Sequence, residues 1–340
     1  MSKILLAEDD EMMRTFLAAS LKRAGHDVQD FEDGETALEA LEREVFDLLL
    51  TDIVMPGIDG IELARRGAKV VVNDLGASMD GSGGSSEAAN AVVKEIEVMG
   101  GEAIANGSSV TDDAGGKKMI ADAMDKWGRI DILIANAGIL RDKSFSKMTM
   151  EDIQLVVDVH LMGSFKPIKA AWDIMKEQNY GRIVVTTSST GLYGNFGQAN
   201  YGAAKLGLVG MMNTLKIEGA KNNIKINAVC PVAATRMTEG LMPEEVLKQL
   251  KPEYVTPGVM NLVKQDAPTG MVLSAGAGAF SMAEIVETNG AFVGQGDALT
   301  AEAVAAKWDE ITDTSTQTHF NAGGEHGQNI FRLLAEGAKG

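Results

Sequence analysis

Cysteine is almost absent from this chain, and one residue, Cys230, cannot close an internal disulfide. A disulfide scaffold is thereby excluded, and the expected compartment is a reducing one, the cytoplasm. Basic residues are also short: 31 Lys and Arg face 48 Asp and Glu, a formal charge of -17. Such a balance argues against a nucleic-acid partner, which needs clustered positive charge. Long uninterrupted apolar runs are missing too, so no membrane span is expected. The four histidines, His26, His160, His319 and His326, are scattered and offer no zinc spacing. Aromatics make up 5% of the chain and prolines number 7, whereas glycines number 38. Hydrophobic residues at 45% over 340 positions are enough for a large α/β core with many tight turns.

What is there centres on 187–205, Thr-Ser-Ser-Thr-Gly-Leu-Tyr-Gly-Asn-Phe-Gly-Gln-Ala-Asn-Tyr-Gly-Ala-Ala-Lys. A helix from Asn200 puts Tyr201 and Lys205 one turn apart on the same face. A phenol titrates near 10, and a cation within about 4 to 6 Å favours phenolate by roughly 1 to 3 units. Ser188, delivered by the strand 181–187, can hold a substrate oxygen in line with that phenol. An isolated Tyr-x-x-x-Lys is a weak signal, so its surroundings carry the argument.

Along the chain, strands alternate with helices. Strands are expected at 3–7, 27–31, 47–51, 68–74, 102–106, 130–135, 181–187 and 224–229, with helices at 11–24, 34–43, 87–99, 114–127, 151–178 (broken near 163–167) and from 200. The alternation predicts an α/β fold with a doubly wound, Rossmann-like parallel sheet and its site at the C-terminal strand edge. Thr300 is expected to cap a helix over 301–311, with Trp308 packed in the core.

Residues 1–66 resemble the first half of a response-regulator receiver domain. The carriers are Glu8-Asp9-Asp10 after the first strand and Thr51-Asp-Ile-Val-Met-Pro-Gly-Ile-Asp-Gly60 after the third. By resemblance, Glu8, Asp9 and Asp52 hold Mg²⁺ and Asp52 accepts a phosphoryl group. After Arg66 the two strands that complete a receiver are missing.

Residues 67–340 form a second domain that resembles the short-chain dehydrogenase/reductases, most closely the (3R)-hydroxyacyl-CoA dehydrogenase domains of type 2 multifunctional enzymes. The carriers are Val71-Val-Asn-Asp-Leu-Gly76, Asn136-Ala-Gly-Ile-Leu-Arg-Asp142, Tyr193-Gly-Asn-Phe-Gly-Gln-Ala-Asn-Tyr201, Met242-Pro-Glu-Glu245 and Lys251-Pro-Glu-Tyr254. The resemblance implies catalysis by Ser188, Tyr201 and Lys205. It implies cofactor binding by Asp74, Val110, Asn136, Ala137, Gly138, Tyr201, Lys205, Pro231 and Ala233. Asp74, at the end of a strand, points to NAD over NADP because it bonds ribose hydroxyls and repels a 2′-phosphate. The implied substrate is a 3-hydroxyacyl thioester or another secondary alcohol, the implied assembly a homo-oligomer, and residues 242–260 the implied lid of the substrate cleft. His160 stands where the family usually has an asparagine.

The family's opening strand, glycine-rich turn and helix are absent from the sequence, and the two resemblances meet near Leu63-Ala-Arg-Arg-Gly-Ala-Lys69 without a linker. The segment 47–66 has the shape to replace that unit, so the 47–51 strand is expected to join the dehydrogenase sheet while 1–45 packs elsewhere. Asp52 would then face the cofactor pyrophosphate. Two unit charges about 5 Å apart at an effective dielectric of about 20 repel by roughly 3 kcal/mol, about a hundredfold in affinity. Three functions therefore stand open: an NAD-dependent dehydrogenase, a phosphorelay protein phosphorylated at Asp52, and an impaired fusion with weak or no cofactor binding.

Overall fold

The strand Gly181–Thr186 is buried along its whole length, as its Ile-Val-Val centre demands. We take it as β7 of a computed structural model that describes residues 3–7, 27–31, 48–51, 66–76, 87–234 and 249–337, with isolated positions at 18, 22, 23, 64 and 247. The chain divides into two compact units, Met1–Pro56 and Gly57–Gly340.

In the first unit, β1 (Lys3–Ala7), β2 (Asp27–Phe31) and β3 (Leu48–Thr51) form a three-stranded parallel sheet in the order β2-β1-β3. This corrects the expectation that the strand at 47–51 joins the dehydrogenase sheet. β3 pairs with β1 in register from Ile4↔Leu48 to Ala7↔Thr51, and β1 pairs with β2 from Lys3↔Asp27 to Ala7↔Phe31. The central strand thus satisfies its backbone on both sides, which an isolated β1–β2 pair would not allow. Of the helix expected at 11–24, positions 18, 22 and 23 are described and are helical; the helix expected at 34–43 and the turn carrying Asp52 lie outside the described residues.

The second unit begins with β4 (Lys69–Asn73) and β5 (Glu102–Asn106), parallel and paired from Lys69↔Glu102 to Asn73↔Asn106. Helices α1 (Glu87–Val98) and α2 (Asp113–Trp127) follow these strands. Asp112 caps α2 by accepting the Ala114 N–H, and Gly128 closes it with a left-handed residue at φ 72°. A five-stranded sheet runs β10-β9-β8-β7-β6, where β6 is Ile132–Ala135, β8 Ile224–Val232, β9 Val272–Gly276 and β10 Ala279–Ala283. All its neighbours are parallel except the β9–β10 hairpin. The fold is the expected Rossmann-like α/β, and among the described residues the parallel sheet of this unit is in two pieces.

The long helix expected at 151–178 is α3 (Met150–Val157), a π-helical turn over Asp158–Met162, and α4 (Gly163–Gln178). The break therefore precedes the expected Gly163–Pro167 stretch: the Gly163 N–H bonds back to Asp158 O, and Pro167 sits within the first turns of α4. Gly163 is required there, because a Cβ would lie 2.8 Å from Val110 Cγ2. Next come α5 (Ser189–Tyr193), α6 (Ala199–Gly219) and α7 (Thr256–Val263). The core joins β7 and β8 to α4 and α6 through Ile168, Met175, Ile183, Val185, Leu208 and Ile226. Toward the C-terminus Thr300 caps a helix as expected, by accepting from Ala303 N–H. That helix stops at Ala306 and a second begins at Trp308, whose side chain is 56% exposed, correcting its expected place in the core. Segment 252–263 of the expected lid is helical, and 242–246 lies outside the described residues.

One buried charge ties the edge of the sheet together. Arg182 is 0% exposed and its guanidinium meets only oxygen acceptors and a ring: Nε donates to Lys264 O (3.0 Å), Nη1 to Gly181 O and Asn223 O (2.7 Å each), Nη2 to Gln265 O (2.5 Å) and Asn223 Oδ1 (3.3 Å). It also stacks 4.2 Å from the Tyr180 ring centroid. Arg182→Met keeps the apolar stem and removes all five donations, each worth about 1 kcal/mol. Asn223 O and Lys264 O still accept the Gly181 and Ala267 N–H groups, which offsets part of the loss. Urea denaturation is expected to show a loss of about 3 kcal/mol, and a change under about 0.5 kcal/mol would refute this role.

Candidate active site

Strand β7 ends at Thr186, and the next two residues build the site. The Thr187 N–H donates to Val229 O (2.8 Å), extending the β7–β8 ladder, and its hydroxyl donates to Lys205 O (2.8 Å). Ser188 is extended, at φ -158° and ψ 153°, and caps α5 by accepting the Thr190 N–H at 3.2 Å. Gly191 lets α5 approach α6, since a Cβ there would sit 2.8 Å from Lys205 Cβ. As the spacing predicts, Tyr201 and Lys205 share one face of α6.

These elements bring the three expected residues together. The Ser188 hydroxyl lies near enough to the Tyr201 phenol to draw its pKa down, and Lys205 Nζ lies 5.5 Å from the Tyr201 ring centroid. Lys205 is buried and donates to Thr186 O at 2.6 Å. Burial pushes its pKa down to about 7. Burial likewise pushes the Tyr201 phenol above its usual value; the Ser188 hydroxyl pulls it down, while the negative charge of Asp142 pushes it up. The expected direction for Tyr201 was downward under the Lys205 cation. That cation is itself desolvated and aimed at a carbonyl, so burial of the phenol wins.

His160, in the π-helical turn, is 1% exposed and stands edge-on to Tyr201 with ring centroids 5.0 Å apart. Its Nε2 lies 2.8 Å from Ile139 O and 3.1 Å from Ile139 N, and Nδ1 has no partner among the described residues. Burial, then the charge of Lys205, push its pKa to about 3, so the ring is neutral. Gly138 faces this ring, and a Cβ there would come 2.5 Å from His160 Cε1.

The remaining expected residues fall at the C-terminal ends of parallel strands, the usual ligand-binding edge of such sheets. Asp74 follows β4 and its carboxylate accepts the Gly76 N–H at 2.6 Å. Val110, beyond β5, packs on the cluster of Ile139, Val156, Val159 and Ala204. Asn136, Ala137 and Gly138 follow β6, and Asn136 Oδ1 accepts the Thr186 hydroxyl at 2.9 Å. Pro231 pairs with Ala275 in β8, and Ala233 packs on the cluster around Val184 and Val229. Glu8, Asp9 and Asp52 lie outside the described residues. The strands they follow are neighbours, with Ala7 opposite Thr51. Among the described residues no cluster of His, Cys, Asp or Glu could hold a metal, and no helix is long and apolar enough to cross a membrane.

Sequence reasoning missed Thr186, which serves both Lys205 and Asn136, and the Gln198 bridge. Gln198 accepts from the Thr190 hydroxyl (2.8 Å) and donates to Asp142 (2.6 Å), fixing the loop ahead of Tyr201. Thr186 was marked only by its place at the strand end, and nothing local marks Gln198.

The short chain dehydrogenase family model matches residues 61–246, and the response regulator receiver domain model matches 4–70. The chain is 51% identical over 252 residues to peroxisomal multifunctional enzyme A of Dictyostelium discoideum, covering 74% of this chain and 56% of that protein. The structure of full-length peroxisomal multifunctional enzyme type 2 from Drosophila melanogaster superposes with a TM-score of 0.69 at 39% identity, over 82% of this chain and 47% of that one. A 7 alpha-hydroxysteroid dehydrogenase complexed with NADH and 7-oxo glycochenodeoxycholic acid gives 0.58 at 25% identity, over 65% of this chain and 88% of that one. The chain spans about half the length of these two multifunctional relatives. With its sheet, its strand-end residues and this similarity taken together, the chain belongs to the short-chain dehydrogenase family of oxidoreductases, with receiver-type sequence at its N-terminal end.

Proposed function

We propose that the chain is an NAD-dependent dehydrogenase that oxidises a secondary alcohol, a 3-hydroxyacyl thioester in the first instance. The observation that carries this reading is the convergence of the Ser188 and Tyr201 hydroxyls with the buried amine of Lys205. In this reading Ser188 orients the substrate hydroxyl and Tyr201 takes its proton. Lys205 supplies positive charge beside the phenol and holds the nicotinamide ribose. His160, neutral and edge-on, fixes the tyrosine ring. A bound nicotinamide supplies the hydride acceptor. Asp74, whose carboxylate is oriented by the Gly76 N–H, suits the ribose hydroxyls of NAD.

The residues present suit the two ends of a dinucleotide better than its middle. Gly138, which has no room for a Cβ, and Asn136 leave backbone accessible at the end of β6. The family's glycine-rich turn is absent from the sequence, so weak cofactor affinity is expected. Exposed Phe145, Tyr193 and Phe196 lie on two segments, 143–147 and 193–197, tied by the Lys143 N–H to Gly197 O bond, a surface suited to an acyl chain. Exposed Ile285, Trp308 and Phe331 support a homo-oligomer, which light scattering would detect.

Oxidation of a (3R)-hydroxyacyl-CoA followed by nicotinamide absorbance tests the reading. Tyr201→Phe is expected to lower the rate by at least a hundredfold with the fold unchanged by circular dichroism. Activity retained in that variant, or turnover with NADP alone, would overturn it. Gly138→Ala is expected to reduce turnover tenfold or more by pushing on His160.

The receiver-type match, with Ala7 opposite Thr51, favours a second reading in which Asp52 accepts phosphate with Mg²⁺. Incubation with acetyl phosphate should then add one phosphoryl mass, absent in Asp52→Asn.

Lys205 gives a separate pH test. Its folded pKa of about 7 lies below the ordinary value of 10.5. Between those values the unfolded chain binds a proton that the folded chain does not, so this group makes stability rise with pH across that window. Below pH 7 its destabilising effect is complete. The stability of wild type relative to Lys205→Met is therefore expected to increase from pH 7 to pH 10 in urea titrations; a flat difference would show that the amine stays charged when folded.

A further inference from the structure

The loop that follows β6 reaches the helix α6 through one carboxylate. Asp142 Oδ2 accepts from Gln198 Nε2 at 2.6 Å, and Gln198 stands at the N-cap of α6 with no capping bond from its side chain. Its Oε1 instead accepts from the Thr190 hydroxyl at 2.8 Å and from Asn195 Nδ2 at 3.0 Å. The Thr190 N–H donates to Ser188 Oγ at 3.2 Å, which leaves the serine hydrogen to be donated elsewhere. On the main chain, Gln198 O accepts the Gly202 N–H at 2.7 Å, in the turn that carries Tyr201. One residue thus joins the loop after β6, the helix α5 capped by Ser188 and the start of the Tyr201 helix.

A carboxamide in that place has two ways round, with its oxygen and nitrogen exchanged. An ionised carboxylate accepts and cannot donate, so Asp142 admits only the nitrogen on its side and leaves the oxygen to the donors Thr190 and Asn195. In the flipped form oxygen would face oxygen at Asp142, and the Asn195 amide would face another NH₂ group. The charge on the acceptor also makes this bond the strong one of the set.

We propose that Asp142 is a positioning residue of the active site, whose carboxylate locks the Gln198 carboxamide one way round and so holds Thr190, Ser188 and the start of α6 in register. Its kinetic consequence rests on the dehydrogenase reading, whereas its structural one does not. The charge has an effect of its own. Tyr201 is faced by Lys205 on its own helix, by His160 from the π-helical turn, by Cys230 on β8 and by Asp142, whose negative charge opposes ionisation of the phenol. The neighbouring Arg141 and Lys143 are turned to Asp152 of α3, at 3.7 and 2.6 Å. Geometry and charge are therefore separable: asparagine at 142 can still accept from Gln198 but carries no charge, whereas leucine loses both.

Asp142 is exposed, so Asp142→Asn and Asp142→Leu are both expected to fold and are compared in the full chain. Without cofactor or substrate, hydrogen exchange of the Thr190 and Gly202 amides is expected to quicken about tenfold in Asp142→Leu and to stay within about threefold of wild type in Asp142→Asn. Gln198→Leu, which cuts the same bridge from its other side, should reproduce the leucine pattern. Tyrosinate absorbance, taken as the difference from Tyr201→Phe, is expected to titrate at lower pH in Asp142→Asn than in wild type. With a (3R)-hydroxyacyl-CoA and NAD, kcat/KM is expected to fall about tenfold in Asp142→Leu and to recover most of that loss in Asp142→Asn, whose pH profile rises at lower pH. Unchanged exchange in Asp142→Leu, equal quickening in both variants, or a tyrosinate titration that does not move would overturn the proposal. A wild type inactive toward the thioester but showing this exchange pattern and titration would uphold the role of Asp142 and sink the dehydrogenase reading.

Discussion

The site depends on a two-way clamp between the end of β7 and the helix α6. The Lys205 ammonium donates to the Thr186 carbonyl at 2.6 Å, and the Thr187 hydroxyl donates to the Lys205 carbonyl at 2.8 Å. Strand and helix are therefore held through both the side chain and the backbone of one residue. The arrangement is costly, since a buried amine with a single carbonyl partner is poorly compensated and its pKa falls to about 7. The same cost fixes Tyr201 one turn away, because any rotation of α6 that freed Lys205 would carry the phenol off Ser188.

Around that clamp the electrostatics are arranged by exclusion of water. Tyr201 and Lys205 are both pushed toward their neutral forms by burial, and His160 is held neutral by burial and by the lysine. Three groups able to carry protons thus meet in one place with little net charge. A ligand that brings hydroxyls to Lys205 would restore partners to its ammonium and so draw the phenol toward ionisation. Proton chemistry in this arrangement is coupled to occupancy of the site.

Much of this was legible in the sequence because the signals are local. Ser188, Tyr201 and Lys205 come together through one strand end and one helical turn, which spacing alone specifies. The strands at 102–106 and 181–186 were legible from apolar runs bounded by turns. What was illegible depends on contacts distant in sequence. Arg182 finds its acceptors at residues 223, 264 and 265, Gln198 finds Asp142, and Trp308 lies at a helix junction that removes it from any apolar stripe. The direction of the Tyr201 shift was misjudged for the same reason, because charge proximity is visible in a motif and desolvation is not.

The choice made by β3 sets what the rest of the chain can do. Its distance along the chain from β1 is about twice its distance to β4, and doubling a loop costs only about 0.6 kcal/mol. Loop entropy therefore does not select the partner. A ladder does: pairing with β1 gives four residues in register and completes a three-stranded sheet, the smallest unit with an interior strand. Joining β4 and β6 would have required β3 to leave β1 with an open edge, trading one exposed ladder for another. The β1–β3 pair keeps Ala7 opposite Thr51, and among the described residues β4 and β6 are each paired on one side. The residues gathered around Tyr201 come from the end of β7, from α6 and from the π-helical turn, and their placement does not depend on any further neighbour of β4 or β6.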